Sequence, residues 1–286
     1  MSVFKISNKE LSVSIDSLGA EVFSIVRNID VREYLHTKDD VYWNRVSPVL
    51  FPFVGSNMND EYTYNGKKYR MCIHGFARDC EFTPVGIEED SISFSLESDK
   101  KSLDVYPFEF RLTISYKLVG NTLDVNWNVE NLTDGEMYYS IGGHPAFLVP
   151  QENFYIRLNK KPEKITGIVG RYADDSLNVV GNVSFDENYI RVEDGLFRND
   201  ALVFENYEIS EIAFCENKDP YVTVNFTSPA AGIWAPDKKG CPFVCIEPWY
   251  GRCDSVDFAG HLEDKKWIRH LSRNEKENLS YTVTLN

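Results

Sequence analysis

Apolar and polar side chains alternate strictly through Phe108, Phe110, Leu112, Ile114, Tyr116 and Leu118, and the alternation resumes at Leu123, Val125, Trp127 and Val129. A period of two sends every second side chain to the same face, which marks a strand buried on one side only. Between the two runs stands Gly120-Asn121, a two-residue turn signal, so residues 107–130 are predicted to form one long antiparallel hairpin. The same period recurs in Leu11–Ile15, Ile92–Leu96, Tyr221–Phe226 and Leu279–Leu285. Asn65-Gly66 predicts a second hairpin between Tyr62–Tyr64 and Lys67–Tyr69. Windows with helical period are sparse, and no Pro-, Gly- or Ser-rich linker or fixed-period repeat divides the chain. Together these patterns predict an all-β fold. It is a large antiparallel β-sandwich with few short helices, a single domain over residues 1–286.

Composition supports a folded chain: 43% of the 286 residues are apolar and 26% charged, close to globular averages. The aromatic share of 14% suits strands, which favour aromatic and β-branched side chains. Lys and Arg number 30 against 44 Asp and Glu, a net charge of −14, so phosphate backbones and anionic lipid are repelled. Nucleic acid and membranes are therefore not expected as partners. No run approaches 18 apolar residues, and Met1–Glu10 lacks the apolar core of a secretory signal. The six cysteines form no C-x-x-C pair and are expected to be reduced packing residues, in keeping with a cytoplasmic location. Glu263-Asp264-Lys265-Lys266, the nearest thing to a charge run, is expected to be a solvated turn or helix end.

Three segments break the alternation and set unusual chemistry beside turn residues. They are Ser47-Pro48-Val49-Leu50-Phe51-Pro52-Phe53-Val54-Gly55 with His74-Gly75-Phe76-Ala77-Arg78 further on, Gly142-Gly143-His144-Pro145-Ala146-Phe147, and Phe243-Val244-Cys245-Ile246-Glu247-Pro248-Trp249. A histidine beside glycines permits close approach of a ligand to backbone, and imidazole titrates near neutrality. Taken singly, each histidine is equally a core residue bonded to a carbonyl, Glu247 a solvated strand end, and Phe51, Phe53 and Phe76 core packing.

In order and spacing these pieces, with Leu196-Phe197-Arg198-Asn199-Asp200-Ala201-Leu202, resemble the galactose mutarotase, or aldose 1-epimerase, family, in particular its short bacterial LacX-like branch. The resemblance spans nearly the whole chain. It implies a twisted supersandwich with a sugar held in an open cleft across one sheet, in an enzyme that interconverts the α and β anomers of a free hexose. It also implies roles: His144 as general acid, Glu247 as general base, and His74, Arg78 and Asp200 as binders of the sugar's oxygens. Trp249 is assigned to stack on the sugar face, with core or rim packing as the alternative.

The implied reaction needs neither metal nor organic cofactor, since a base takes the C1 hydroxyl proton while an acid protonates the ring oxygen. It requires Glu247 ionised and His144 protonated, and an acidic neighbour such as Asp200 would help to keep the histidine charged. The implied partner is a small sugar, bound by a monomer or homodimer. Ser56 stands where relatives commonly carry Arg, which argues against a phosphorylated sugar, although Arg45 and Arg78 remain candidate anion binders and Arg70 reads as a surface residue. Rival readings are a non-catalytic sugar-binding module on the same fold, a mutarotase of a phosphorylated hexose, a hydrolase pairing Glu247 with Asp254 or Asp257, and a metal site of His74, His144 and Glu247.

Overall fold

The computed structural model describes residues 2–286. Its widest sheet has ten strands in the order Phe185–Asp186, Tyr189–Arg191, Phe154–Leu158, Glu211–Glu216, Asp219–Phe226, Lys276–Leu285, Thr122–Asn131, Phe110–Val119, Ser91–Glu97 and Thr83–Ile87. The predicted long hairpin belongs to it. Phe110–Val119 pairs with Thr122–Asn131 in unbroken register from Phe110↔Asn131 to Val119↔Thr122, and Gly120 turns with φ +58°. Burial alternates as the sequence pattern demands: Phe110, Leu112, Ile114, Tyr116 and Leu118 on one strand and Leu123, Val125, Trp127 and Val129 on the other are buried. Each such large side chain contributes about 1.5–3 kcal/mol on leaving water, which pins the register.

A second sheet runs Tyr172–Asn178, Thr166–Val169, Leu202–Phe204, Ala230–Trp234, Phe243–Tyr250, Ile141–Gly143 and Val49–Leu50, with Ala146–Leu148 as a further partner of Phe243–Tyr250. The inner faces of the two sheets share one core. Trp127 of the wide sheet meets Tyr250 of the second edge to face, with ring centroids 6.3 Å apart. A four-stranded sheet of Val3–Ser7, Leu11–Asp16, Glu21–Arg27 and Arg32–Glu33 packs its own apolar row into that core. The second predicted hairpin joins Glu61–Tyr64 to Lys67–Arg70, with Asn65 and Gly66 both at positive φ as a type I′ turn requires. Among the described residues one α-helix is present, Lys100–Val105, started by Asp99, which accepts a hydrogen bond from the Ser102 amide. All six cysteines are free, and no helix among the described residues is long and apolar enough to cross a membrane.

The expectation for the Glu263–Lys266 run fails at Lys265, while Glu263, Asp264 and Lys266 are exposed. Lys265 is buried in an ion pair with Asp254, and Lys266 bonds Asp175 at 2.8 Å and Glu205 at 3.1 Å. These carboxylates also hold Arg252, whose side chain is wholly buried: its guanidinium lies 2.7 Å from Asp175 and 3.0 Å from Glu205. The charges read as solvated because their partners, apart from Asp254, are distant in sequence.

Candidate active site

Glu247 occupies the middle of Phe243–Tyr250, a strand whose eight residues are all buried, so both its faces are covered and no alternation marks it. On one side its neighbour is interrupted. Ile141–Gly143 and Ala146–Leu148 pair with the same strand, and the registers Gly142↔Trp249 and Ala146↔Cys245 lie on one continuous ladder. That register sets His144 directly opposite Glu247. Pro145 and Pro248 have no N–H to give, so the ladder opens at this point and the two side chains meet across the gap. His144 Nε2 is 3.1 Å from Glu247 Oε2.

Trp249 is 6% exposed. Cβ atoms added at Gly142 or Gly232, on the strands to either side, would lie 2.9 Å and 2.5 Å from its ring, so the indole fills the space these glycines leave. Its Nε1–H donates to Glu247 Oε2 at 3.2 Å. Trp249 is thus packed between the two glycines and bonded to the carboxyl, and it also lines the cleft.

His74 reaches the same place from a loop. Gly75 is pressed onto Phe51, whose carbonyl accepts from the amides of Phe76 and Ala77 at 3.0 and 3.1 Å. A Cβ at Gly75 would lie 2.3 Å from that carbonyl oxygen, and φ is +71°. Gly75→Ala is accordingly expected to cost about 1–3 kcal/mol and to displace His74, read as a lower denaturant midpoint together with a raised KM. His74 itself has φ +66°, and its Nδ1 accepts the Gly55 N–H at 3.0 Å.

His74, Arg78, His144, Asp200, Glu247 and Trp249 all line one cleft of about 360 Å³, within the range of small-molecule sites. Ser56 lines it too, buried and with its Oγ unpartnered. Trp43, Trp234, Arg45 and Arg171 are also among the lining residues, and the sequence singled out none of them as a binder of a neutral sugar. The Trp43 and Trp234 rings flank His144, with centroids 4.7 and 5.5 Å from the imidazole. The only sequence signal for them was a tryptophan beside Arg45 in an irregular stretch and another ending a strand just before Ala235-Pro236. Arg45 is bound to Asp79 at 2.8 Å and Arg171 to Asp60 at 3.1 Å. Arg78 donates to the Ile73 carbonyl at 2.7 Å, and Arg70 is exposed.

Burial dominates the electrostatics here. It raises the Glu247 carboxyl well above the usual range, with the Asp200 charge adding to the effect and the Trp249 hydrogen bond opposing it. Burial also lowers both histidines, and the Arg78 and Arg45 charges lower them further. Asp200 thus acts on the carboxyl, not as the expected support for a charged His144. Burial disfavours charge on either member of the pair. A histidine lowered in the folded state binds its proton more readily when unfolded, so the stability involved is full above about pH 6.5 and is lost as pH falls from there. The denaturant midpoint of wild type relative to that of His144→Asn is expected to fall as pH is lowered from 7.5 to 5.

The antiparallel sandwich that carries this cleft is the fold of galactose mutarotase-like proteins. The chain belongs to the aldose 1-epimerase family, whose model matches residues 2–260; it is an isomerase acting on carbohydrate. It is 29% identical to the plasmid-encoded LacX protein of Lactococcus lactis subsp. lactis, over 98% of both chains. A galactose mutarotase related enzyme from Lactobacillus acidophilus superposes with a TM-score of 0.92 at 31% identity, covering 100% of this chain and 97% of that one. A galactose mutarotase-like protein from Lactobacillus casei does so at 0.90 and 26% identity, covering 100% of both.

Proposed function

We propose that the protein interconverts the α and β anomers of a free hexose such as galactose or glucose, with Glu247 as general base and His144 as general acid. The observation that carries this reading is the 3.1 Å contact between the two groups on the cleft floor. The anomeric hydroxyl and the ring oxygen share one carbon, so a base and an acid that touch each other can each reach one of them. Glu247 takes the proton of the C1 hydroxyl, the bond from C1 to the ring oxygen breaks, and His144 gives its Nε2 proton to that oxygen. Rotation about C1–C2 presents the other face of the aldehyde, and the same two transfers in reverse close the ring.

Burial favours the uncharged pair before the sugar enters. Moving one proton from Glu247 to His144 across their contact gives the carboxylate and imidazolium with no change in proton count, so the reactive form needs no exchange with solvent. In this reading His74, Arg78 and Asp200 hold the sugar's oxygens, and Trp43 and Trp234 offer it apolar faces. Arg78→Ala is expected to raise KM several-fold with a smaller change in kcat, measured by initial rates over a range of sugar concentrations.

The guanidiniums of Arg45, Arg78 and Arg171 on the cleft wall favour a second reading, a phosphorylated hexose. Arg45 and Arg171 already face carboxylates, and this tips the balance towards a neutral sugar. Polarimetry on freshly dissolved α-D-galactose, α-D-glucose and glucose 6-phosphate separates the cases. Faster anomer exchange of either free sugar supports the first reading, and acceleration of the phosphate alone supports the second. Binding without acceleration would leave a sugar-binding module.

A further inference from the structure

Behind the cleft wall, Lys265 and Asp254 form an ion pair in which both side chains are at most 3% exposed. The ammonium also sits 5.5 Å from the ring centroids of Phe53 and Phe258. A buried pair of this kind is weak evidence for stability, because desolvating two charges offsets most of their attraction, and the residues it organises need a separate account.

Asp254 faces the segment that ends at the cleft. Its Oδ2 accepts the Met58 N–H at 2.7 Å, and its own N–H donates to the Ser56 carbonyl at 3.0 Å. Next to it Cys253 packs against Gly55 so closely that a Cβ on the glycine would lie 2.5 Å from the cysteine Cβ. The Gly55–Met58 segment is thus fixed by residues 253 and 254 at three points. Gly55 in turn holds His74 twice: its carbonyl accepts the His74 N–H and its N–H donates to His74 Nδ1, both at 3.0 Å. A ring nitrogen that accepts a backbone N–H carries no proton, so a neutral His74 must carry its proton on Nε2.

We propose that Lys265 and Asp254 are positioning residues for the reaction: through Gly55–Met58 they fix His74 as a neutral imidazole that can only donate, presenting Nε2–H to a sugar oxygen beside His144. The His74 and His144 rings stand edge to face with centroids 5.6 Å apart, so the two can serve neighbouring atoms of one ligand. His74 is then a fixed donor, and proton transfer falls to His144 and Glu247. This assignment rests on the mutarotase reading for its consequence but not for its geometry.

Long-range ¹H–¹⁵N correlation spectra of the labelled full chain at pH 7, with His74→Gln to assign the signals, test it. The expected wild-type pattern for His74 is a protonated Nε2 and an unprotonated Nδ1. In Lys265→Met that pattern is expected to give way to a mixture of tautomers, with kcat/KM falling about ten- to hundredfold. The double variant Lys265→Met/Asp254→Asn keeps an acceptor for the Met58 amide without leaving a lone buried charge, and is expected to restore the wild-type pattern and most of the activity. An Nδ1-protonated or doubly protonated His74 in the wild type would overturn the proposal, whether or not the variants fold. A folded Lys265→Met with an unchanged His74 spectrum and unchanged kcat/KM would overturn it as well, and would leave the pair a purely structural one. Wild-type protein that has the Nε2–H pattern and accelerates no sugar would overturn the mutarotase reading while leaving the tautomer assignment standing.

Discussion

Glu247→Gln is expected to lower kcat by about 10²-fold or more, the range for loss of a general acid–base group, with circular dichroism unchanged. Saturation-transfer NMR between the two anomers of galactose measures this directly. Gln keeps an oxygen that can accept the Trp249 indole N–H, so the side chain has a reason to stay where Glu247 stands. The same variant should be no less stable than wild type at neutral pH, and more stable above the raised Glu247 value. A carboxyl whose folded pKa lies above its unfolded one contributes stability at low pH, and that contribution is lost as pH rises through the folded value. Gln removes the ionisation that causes the loss. A melting temperature that rises while kcat collapses would mark a residue kept for chemistry at the expense of stability. Near-normal turnover would remove Glu247 as the base.

The largest loss of stability is expected at a residue outside the cleft. Arg252→Met should destabilise the fold by about 3 kcal/mol or more, because it leaves Asp175 and Glu205 facing an apolar side chain with Lys266 as their one remaining cation from this cluster. Burial pushes both carboxyls up. For Asp175 the hydrogen bonds from Lys266 and Ser255 and the Arg252 charge outweigh it, and for Glu205 the Arg252 charge and the Thr166 and Trp267 hydrogen bonds do so. Both therefore end below their usual values. Stability of that kind is present above the unfolded carboxylate range, near pH 4, and is lost as pH falls through the folded values. The gap between wild type and Arg252→Met should be widest near neutrality and should narrow below about pH 4, as chemical denaturation across that range would record. A gap that stays constant with pH would mean that packing of the long side chain, not its charge, is what Arg252 supplies.

The contrast between these two residues tracks what was legible beforehand. The hairpin of Phe110–Val119 and Thr122–Asn131 could be read from the sequence because one face of it is dry and the other is not, and a period of two reports that difference. Phe243–Tyr250 could not be read that way, since covered faces on both sides leave an unbroken apolar run interrupted only by Glu247. The six residues drawn from the motifs do come to one cleft: Glu247 and Trp249 on a central strand, His144 between two short strands paired to it, and His74, Arg78 and Asp200 from segments outside the strands. What the motifs could not carry was surroundings. Whether Glu247 and His144 hold charge depends on burial, and whether Lys265 is solvated depends on Asp254; both are properties of the folded chain. Trp43 and Trp234 escaped for the same reason, since only the assembled cleft turns them towards His144.

The opening in the ladder at Pro145 and Pro248 bears on how such a protein can change over generations. His144 and Glu247 face each other because two short strands keep a single register against Phe243–Tyr250. Gaining or losing one residue between Ile141 and His144 would turn His144 to the opposite face, or force the two short strands out of their common register, and part the pair. Ser56, Arg45 and Arg171 hang on irregular segments or turns, where insertions and substitutions are tolerated. On the proposed roles the reaction is inherited with the sheet and the choice of sugar with the loops, so descendants of this chain could drift from one substrate to another without having to reinvent the chemistry.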